Sequence, residues 1–536
     1  MTNRYTLAAA HIAIAVAAFG VAALMGLVQA LSIADIKFPF RSESFYYISV
    51  TAHGVLMALV FTTFFIMGFG YVLAQELLGR IVGKGAGWFA LVLAAVGSVA
   101  AAVTVLQGKS TVLYTFYPPL QAHPLFYIGA TMLVVGSWIW GGVIIASYLS
   151  WRRENPGKPV PLSIHGMLAT IFIWYMATAG LAIEVLGMLI PWSLGWVKTV
   201  DPLLARTYFW WFGHPLVYFW LLPAYVLWYT VLPQVAGGRL FSDSLGRMVF
   251  IMFVVLSVPV GFHHQFADPG VTAGWKLAHM VLTYAVMYPS FVTAFSIIAS
   301  LEVAGRIKGA KGLFDWIGKL PWGDPVFACI ALGIIGFIFG GFGGAINAAY
   351  AMNSMVHNTA WIHGHFHLTL GTTVALSFMG GVYWLLPRML GRELRLRALA
   401  RIQPYLWFLG MALFSTSYHI AGLRGMPRRV YSGALTGDYG AQWHGLTQIA
   451  AVGAVVLLIS AWLFVLVAIA TWFGARQATA LPFEFAVPLR PPVYSLWDRF
   501  GVWVTLAVVL VIAAYGIPLS FLISHPRFGS PPYQPF

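Results

Sequence analysis

The chain is short of cysteine and of charged residues, and each shortage excludes a class of protein. Its 536 residues include a single cysteine, which rules out an internal disulfide framework and any zinc or iron–sulfur site built from cysteines. Only 8% of the residues are charged, against about a quarter in globular proteins. Hydrophobic residues make up 60% of the chain. A soluble fold is therefore excluded, and we predict an all-α polytopic membrane protein.

Acidic residues are the scarcer of the two charge types. The chain has 15 Asp and Glu against 30 Lys and Arg, a formal net charge of +15. A nucleic-acid partner is not indicated, because the basic residues lie in short loops between apolar runs, where they set the orientation of membrane helices. About 20 of the 30 fall on one side of the predicted spans. We expect that side to be cytoplasmic, with the N-terminus on it and the C-terminus outside.

The apolar runs define the predicted architecture. A span needs about 20 apolar residues, and about thirteen runs satisfy this, near residues 6–30, 47–75, 86–107, 124–149, 162–190, 205–233, 246–263, 273–301, 324–350, 359–387, 404–424, 444–473 and 497–523. No loop between them is long enough to form a separate domain. We predict one membrane domain over residues 1–536, surrounded by lipid.

Four of the 15 histidines fall within eleven residues at the start of the tenth predicted span, namely His357, His363, His365 and His367. A bilayer has no water to solvate imidazole, so metal or haem ligation is the interpretation we favour. His365 and His367 are two residues apart and therefore point to opposite faces of one helix. His363 and His367 share a face, which leaves open which of them is a ligand.

A haem held by two histidines needs its second ligand from another helix, and His53 in the second span is suitably placed. Gly54 beside it is expected to let a flat macrocycle approach the backbone.

A second set of imidazoles comes from the sixth and seventh spans. His214 and Tyr218 are four residues apart and share a helix face. The adjacent pair His263 and His264 adds two more imidazoles from a neighbouring helix, and three such ligands suit copper. On the predicted topology all the histidine groups lie in the outer half of the bilayer, which indicates one common site.

The motifs GHPLVY at 213–218, VGFHH at 260–264 and HFH at 365–367 resemble subunit I of the haem–copper oxidase superfamily over nearly the whole chain. The resemblance implies four-electron reduction of dioxygen to water, coupled to proton translocation. It assigns His53 and His367 to a low-spin haem, His365 to a high-spin haem, and His214, His263 and His264 to copper B, with Tyr218 cross-linked to His214.

The subtype suggested is the B-type, ba-like cytochrome c oxidase. Leu216 stands where A-type oxidases carry a glutamate, and FHHQFADPG at 262–270, HNTAW at 357–361 and MPRR at 426–429 are similar to the B-type pattern. Tyr218 argues against a nitric oxide reductase. The expected cofactors are a low-spin haem b, a high-spin a- or o-like haem and one copper ion.

Hydroxyl side chains form two stripes that descend from this site. Tyr218, Tyr225 and Tyr229 follow helical spacing on the sixth span, and Ser290, Thr293 and Ser296 do so on the eighth. Each hydroxyl alone can bond back to its own helix, but converging stripes favour a proton path, with Ser242 near its entrance. The resemblance gives these residues the same role, as a single K-type channel.

Three further polar features have alternative interpretations. Arg428 and Arg429 lie together on the predicted outer side, as an ordinary loop pair or as partners of haem propionates. His357 is expected on the same propionate side. Glu184, near the outer end of the fifth span, is either a functional acid or a residue that reaches the interface.

Electrons must enter from another protein, because a copper site for electron entrance needs paired cysteines. We expect a subunit II with such a copper centre, cytochrome c as donor, dioxygen as substrate, a small accessory membrane subunit, and the plasma (inner) membrane of a prokaryote. The alternatives are a quinol-fed oxidase of the same family, a nitric oxide reductase and, from another class, a histidine-lined transporter.

Overall fold

A computed structural model describes residues 4–431, 437–478 and 481–533. Within that part, thirteen long helices account for the predicted spans. They are α1 Thr6–Ile33, α2 Glu43–Leu77, α3 Lys84–Leu106, α4 Pro124–Glu154, α5 Leu162–Ser193, α6 Pro202–Val235, α7 Asp243–Leu256, α8 Ala273–Ile307, α9 Pro325–Ala348, α10 Trp361–Leu390, α11 Arg397–Leu423, α12 Gly437–Trp472 and α13 Phe500–Ser524.

The prediction of an all-helical membrane protein is confirmed. Twelve helices of the described residues are long and apolar enough to cross a bilayer, and no β-strand is assigned among them. The thirteenth, α7, has only 14 residues. The orientation of the two termini stays a prediction.

The predicted seventh span differs from a continuous helix over 246–263. Helix α7 ends at Leu256, and a short turn leads into a 3₁₀ helix, Gly261–Gln265. Pro259 has no N–H to donate and disfavours a helical conformation for the residue before it, which favours a break at this position. The break places His263 and His264 on a separate short segment.

The helices that carry the histidines are the most buried ones. In the apolar 18-residue stretch of each helix, the buried share is 94% for α6, 78% for α10 and 72% for α2. The buried share for α8 is 33%. Helix α6, which carries His214, thus forms the centre of the bundle. The peripheral helices present much of their surface to lipid.

Glycines allow close contact between neighbouring helices. A Cβ at Gly97 of α3 would lie 2.4 Å from the Gly129 carbonyl oxygen of α4, and a Cβ at Gly453 of α12 would lie 2.8 Å from that of Gly410 in α11. Because lipid offers no hydrophobic drive for helix association, such close backbone packing is a main source of attraction within a membrane.

Two π-helical segments adjoin the histidines of the central helices. One, Leu56–Phe61, begins three residues after His53 in α2, and another, His367–Val374, begins at His367 in α10. A π segment places one extra residue in a turn, and such turns occur frequently at functional sites.

A buried charged cluster joins three segments at the start of α7. Arg247 donates from Nε to Asp243 and from Nη1 to Asp498, at 2.6 Å each, and from Nη2 to the Val160 carbonyl oxygen at 2.7 Å. Asp498 belongs to the 3₁₀ helix Leu496–Asp498 that leads into α13. The cluster therefore links α7 to the chain before α5 and before α13.

Candidate functional site

A cavity of about 850 Å³ lies among the central helices. It is lined by every predicted histidine ligand, namely His53, His214, His263, His264, His365 and His367. Tyr218 and the two arginines Arg428 and Arg429 line it too. Residues more than 300 positions apart in sequence, such as His53 and His367, thus line one cavity. This agrees with the common depth in the bilayer that the sequence predicted for them.

His53 of α2 and His367 of α10 face each other across this cavity. Their ring centroids are 6.2 Å apart and their planes differ by only 13°. That separation is too long for direct stacking. It matches two imidazoles on one metal, because a metal–nitrogen bond of about 2 Å plus about 1 Å to each ring centre gives a centroid separation of about 6 Å.

The backbone fixes which nitrogen of each ring is available as a ligand. His53 Nδ1 lies 2.8 Å from the Ala22 carbonyl oxygen, and His367 Nδ1 lies 2.8 Å from that of His363. Each Nδ1 carries the proton and donates it, so each Nε2 keeps a free lone pair. Such outer hydrogen bonds typically orient metal-ligating histidines.

His363 lines the same cavity but is not paired with His53. Its ring packs at 77° against that of Tyr418, with centroids 5.8 Å apart, and its carbonyl oxygen accepts the bond from His367. It is therefore His367 that faces His53. Gly54 also lines the cavity, and a Cβ there would lie 2.5 Å from the Cβ of Tyr114, so the glycine makes room for that side chain. Its expected approach to a macrocycle stays a prediction.

His365 points to the opposite side of α10, as the spacing predicted. Its Nδ1 lies against α9, where a Cβ at Gly343 would come within 2.7 Å of it. Gly343 therefore lets the imidazole pack closely on the α9 backbone.

His214, His263 and His264 form a compact group of three imidazoles. One nitrogen of each lies within 4.8 Å of the others. His214 Nδ1 is 3.1 Å from His264 Nε2, so two ring nitrogens face each other across a space that suits one cation. Neutral imidazole is a good ligand for copper, and the three donors fit the predicted copper ion.

Two neighbours of this group could not be found from sequence motifs. His263 Nδ1 is 2.9 Å from the Thr283 hydroxyl, which itself donates to the His279 carbonyl oxygen at 2.6 Å. The hydroxyl thus accepts the His263 Nδ1 proton and leaves Nε2 as the ligand atom. The indole of Trp210 stacks on His264, with centroids 3.7 Å apart and planes within 9°.

Tyr218 lies beside the group on the same helix as His214. Its hydroxyl oxygen is 3.1 Å from His214 Nε2, one helical turn away, as the four-residue spacing predicted. His214 therefore presents Nδ1 to the other imidazoles and Nε2 to a phenol.

Arg428 and Arg429 lie next to the start of α10. The Arg428 N–H donates to the Asn358 carbonyl oxygen, and the Ala360 N–H to that of Met426, so two antiparallel segments fix the arginine loop. Burial and the neighbouring Arg429 lower the pKa of Arg428 to about 10.

The guanidinium of Arg429 has unused donors. It lies 4.4 Å from the Tyr114 ring centroid and donates to the Thr115 hydroxyl at 3.3 Å. Its Nε and Nη2 are buried without a hydrogen-bond partner among the described residues. Two unpaired donors beside a cavity suit a bound carboxylate, such as a haem propionate.

His357 and a missed residue, Arg206, line the same end of the cavity. His357 Nδ1 is 2.9 Å from Asn353 Oδ1, and burial, with Arg428 nearby, lowers the pKa of His357. Arg206 donates to Asp268 at 3.0 Å, four residues after His264. Arg206 belongs to no sequence motif, so its position beside the cavity becomes clear only from the packing of α6.

The two hydroxyl stripes meet between α6 and α8. Tyr225 donates to Ser290 at 3.3 Å, and Tyr229 donates to Thr293 at 3.2 Å. Ser296 is buried one turn further along α8, beside the same Tyr229 hydroxyl.

At the far end of the stripes, Ser242 caps α7 by accepting from the Leu245 N–H. Ser300 of α8, which is not among the predicted path residues, accepts from the Phe241 N–H at 2.9 Å.

Glu184 does not reach the surface. Its side chain is buried at the end of the α-helical part of α5, and neither carboxyl oxygen has a hydrogen-bond partner among the described residues. It does not line the cavity described above.

Comparison with known proteins agrees with this site. The family described as "Cytochrome C and Quinol oxidase polypeptide I" matches residues 6–456. A Thermus thermophilus protein named cytochrome c oxidase subunit 1 is 41% identical over 524 residues, covering 94% of this chain and 92% of that protein. Its Synechocystis namesake is 26% identical over 479 residues, covering 85% and 82%.

A solved structure of a haem–copper terminal oxidase dimer superposes with a TM-score of 0.96 at 36% identity, over 99% of this chain and 95% of that one. The chain therefore belongs to the haem–copper oxidase family, as its subunit I. It is the catalytic subunit of a terminal oxidase, a multi-pass membrane protein whose family membership implies haem and copper cofactors.

Proposed function

We propose that this chain is the catalytic subunit of a B-type, ba-like cytochrome c oxidase. It reduces dioxygen to water with electrons from cytochrome c and couples the reaction to proton translocation. One observation carries the proposal: three imidazole nitrogens converge within 4.8 Å, beside a phenol, on the wall of the cavity that His365 also lines. Leu216, in place of the A-type glutamate, supports the subtype.

Six histidines are the proposed ligands. His53 and His367 hold a low-spin haem b through their Nε2 atoms, and His365 holds a high-spin a- or o-like haem on the opposite face of α10. His214, His263 and His264 hold copper B. The nearly parallel rings of the first pair and the converging nitrogens of the group of three support these roles.

The chemistry of the chain's own residues centres on Tyr218. When bound, the high-spin haem and the copper supply electrons and the coordination at which the oxygen–oxygen bond is broken. The Tyr218 hydroxyl provides a proton at its oxygen, 3.1 Å from His214 Nε2. By resemblance, its ring is also cross-linked to His214, which holds the phenol in place.

Protons reach Tyr218 along the two hydroxyl stripes. Tyr225 with Ser290 and Tyr229 with Thr293 form two hydrogen-bonded rungs between α6 and α8. Ser296 and Ser242 continue the path towards the side where α7 begins, which is the cytoplasmic side on the predicted topology.

The other end of the cavity binds haem propionates. Arg429 offers two buried donors without a partner, Arg428 lies beside it, and His357 is one of the polar residues around them. Charge-assisted bonds from guanidinium to carboxylate are among the strongest in proteins, so this cluster fixes the haem edges.

The chain has a single cysteine, so an electron-entry copper centre with paired cysteines belongs to another subunit. Residues 1–536 form one membrane domain, with the N-terminus cytoplasmic and the C-terminus outside, in the plasma membrane of a prokaryote. A subunit II with its own copper centre receives electrons from cytochrome c on the outer face, and a small accessory membrane subunit completes the complex.

A reduced-minus-oxidised optical spectrum of the purified protein, with metal analysis and oxygen consumption, tests the proposal. We expect bands of one low-spin and one high-spin haem, one copper per chain, and oxygen uptake with reduced cytochrome c. A protein without haem bands contradicts the oxidase function, and one with iron in place of copper indicates a nitric oxide reductase. Oxygen uptake with quinol but not with cytochrome c contradicts the donor assignment alone.

A further inference from the structure

The segment that carries His263 and His264 cannot hold its position by itself. The 3₁₀ helix Gly261–Gln265 has only five residues, and the first N–H groups of any helix have no partner within it. The N–H groups of Gly261 and Phe262 are nevertheless bonded, and both go to side chains from other helices.

The first of these side chains is Tyr515, in the last helix, α13. Its hydroxyl oxygen accepts from the Gly261 N–H at 2.9 Å, and the hydroxyl donates to the Val258 carbonyl oxygen at 3.2 Å. One phenol thus satisfies two backbone groups on either side of Pro259. Tyr515 is fully buried, although only 39% of the apolar stretch of α13 is buried inside the protein.

The second side chain is His279 of α8. Its Nδ1 accepts from the Phe262 N–H at 3.2 Å, so the proton is on Nε2, which lies 3.3 Å from the Ala514 carbonyl oxygen. His279 therefore joins the segment to α13. One turn later on α8, Thr283 accepts from His263 and donates to the His279 carbonyl oxygen.

The segment also packs closely against the backbone of α6 at Trp210. A Cβ at Gly261 would lie 2.3 Å from the Trp210 carbonyl oxygen and 2.4 Å from the Tyr515 hydroxyl oxygen, so only glycine fits. Trp211 stacks on Tyr515, with centroids 5.0 Å apart and planes within 9°. Displacement of the phenol therefore moves the backbone that ends in the two histidines.

We propose that Tyr515 and His279 are positioning residues for the copper site, acting through the backbone of 258–262 on His263 and His264. The inference rests on the proposed copper ligation. Tyr515 lies beyond residue 456, where the match to the family model ends. The backbone next to His263 and His264 is thus held in part by a residue outside the matched segment.

The test uses the purified complex with Tyr515→Phe, which keeps the ring and removes the hydroxyl. We measure copper retained per low-spin haem during timed exposure of the reduced protein to a copper(I) chelator. We also record the infrared stretch of carbon monoxide bound to the reduced copper. Residues that orient metal ligands typically change affinity by about 10- to 100-fold, so we expect copper loss at least about tenfold faster and a shifted or broadened band.

Matched variants make the result specific. Tyr288→Phe removes the same hydroxyl from a tyrosine of α8 that is 55% exposed, and should leave both readouts at wild-type values. His279→Leu should behave like Tyr515→Phe, and His279→Gln, which keeps an acceptor and a donor, should restore much of the retention. A preserved low-spin haem band shows that each variant has folded.

Two outcomes separate this inference from the proposed function. Wild-type retention and an unchanged band in both Tyr515→Phe and His279→Leu overturn the positioning role, while copper in the wild-type protein leaves the proposed function intact. Full copper in His264→Ala, or none in the wild-type protein, overturns the proposed copper ligation and this inference with it.

Discussion

The buried cluster around Arg247 allows a controlled measurement of what an ion pair contributes inside this protein. Arg247→Met removes the cation and leaves the carboxylates of Asp243 and Asp498, 7% and 6% exposed, facing each other. Breaking a buried pair by removing one partner costs about 3–5 kcal/mol, because the remaining charge has neither water nor a counter-ion. We expect the free energy of unfolding to fall by about that amount.

The chain supplies its own control for this substitution. Arg306 pairs with Glu302 at 2.7 Å and the same four-residue spacing, but the two side chains are 36% and 42% exposed. An exposed pair of this kind contributes about 0–1 kcal/mol, so Arg306→Met should change stability little. The two variants therefore compare a buried arginine between two carboxylates with an exposed arginine that has one carboxylate at the same helical spacing.

A third variant removes one of the two carboxylates in place of the arginine. Asp243→Asn leaves one cation with one anion, so its cost should be about 1–3 kcal/mol, that of weakened hydrogen bonds alone. The assay is denaturant unfolding in mixed micelles, followed by far-ultraviolet circular dichroism. Equal losses for Arg247→Met and Arg306→Met would refute the reasoning, as would a larger loss for Asp243→Asn than for Arg247→Met.

The remaining predictions concern the site. His53→Ala should abolish the low-spin haem signal in the optical spectrum while the helical content is kept, and a retained low-spin band contradicts the ligand assignment. Tyr218→Phe should abolish oxygen uptake with both haems still bound, and near-normal turnover excludes this phenol as a proton donor. Thr293→Val removes the acceptor of Tyr229 and should slow turnover about tenfold or more at unchanged haem and copper content; turnover equal to that of Tyr288→Phe contradicts the path.

The fold was predictable because a bilayer allows few alternatives. Backbone groups must bond internally in lipid, so an apolar run of sufficient length has to be a helix, and the described helices correspond to the predicted runs. The break after Leu256 was missed because hydropathy does not register Pro259. The proline itself was the available signal.

Within one helix the relative positions of the site residues were predictable from their spacing, and the common depth of the histidines indicated that separate helices share one site. His365 and His367, or His214 and Tyr218, have a relation that helix geometry sets. The relation of Trp210 to His264, of Thr283 to His263 and of Tyr515 to Gly261 depends on how separate helices pack. Gly54 illustrates the same limit, since its neighbour Tyr114 comes from a loop about 60 residues away.

The π segments of α2 and α10 have a consequence for how this chain can change in evolution. Each wide turn, Leu56–Phe61 and His367–Val374, holds one extra residue, so a regular α-helix with the same number of residues would rotate one side of the turn by about 100° relative to the other. His53 and His367 would then lose their common plane or the helices their packed faces. A single deletion within the turn would keep the two sides in register, so these stretches should tolerate the loss of one residue better than a longer deletion or an insertion.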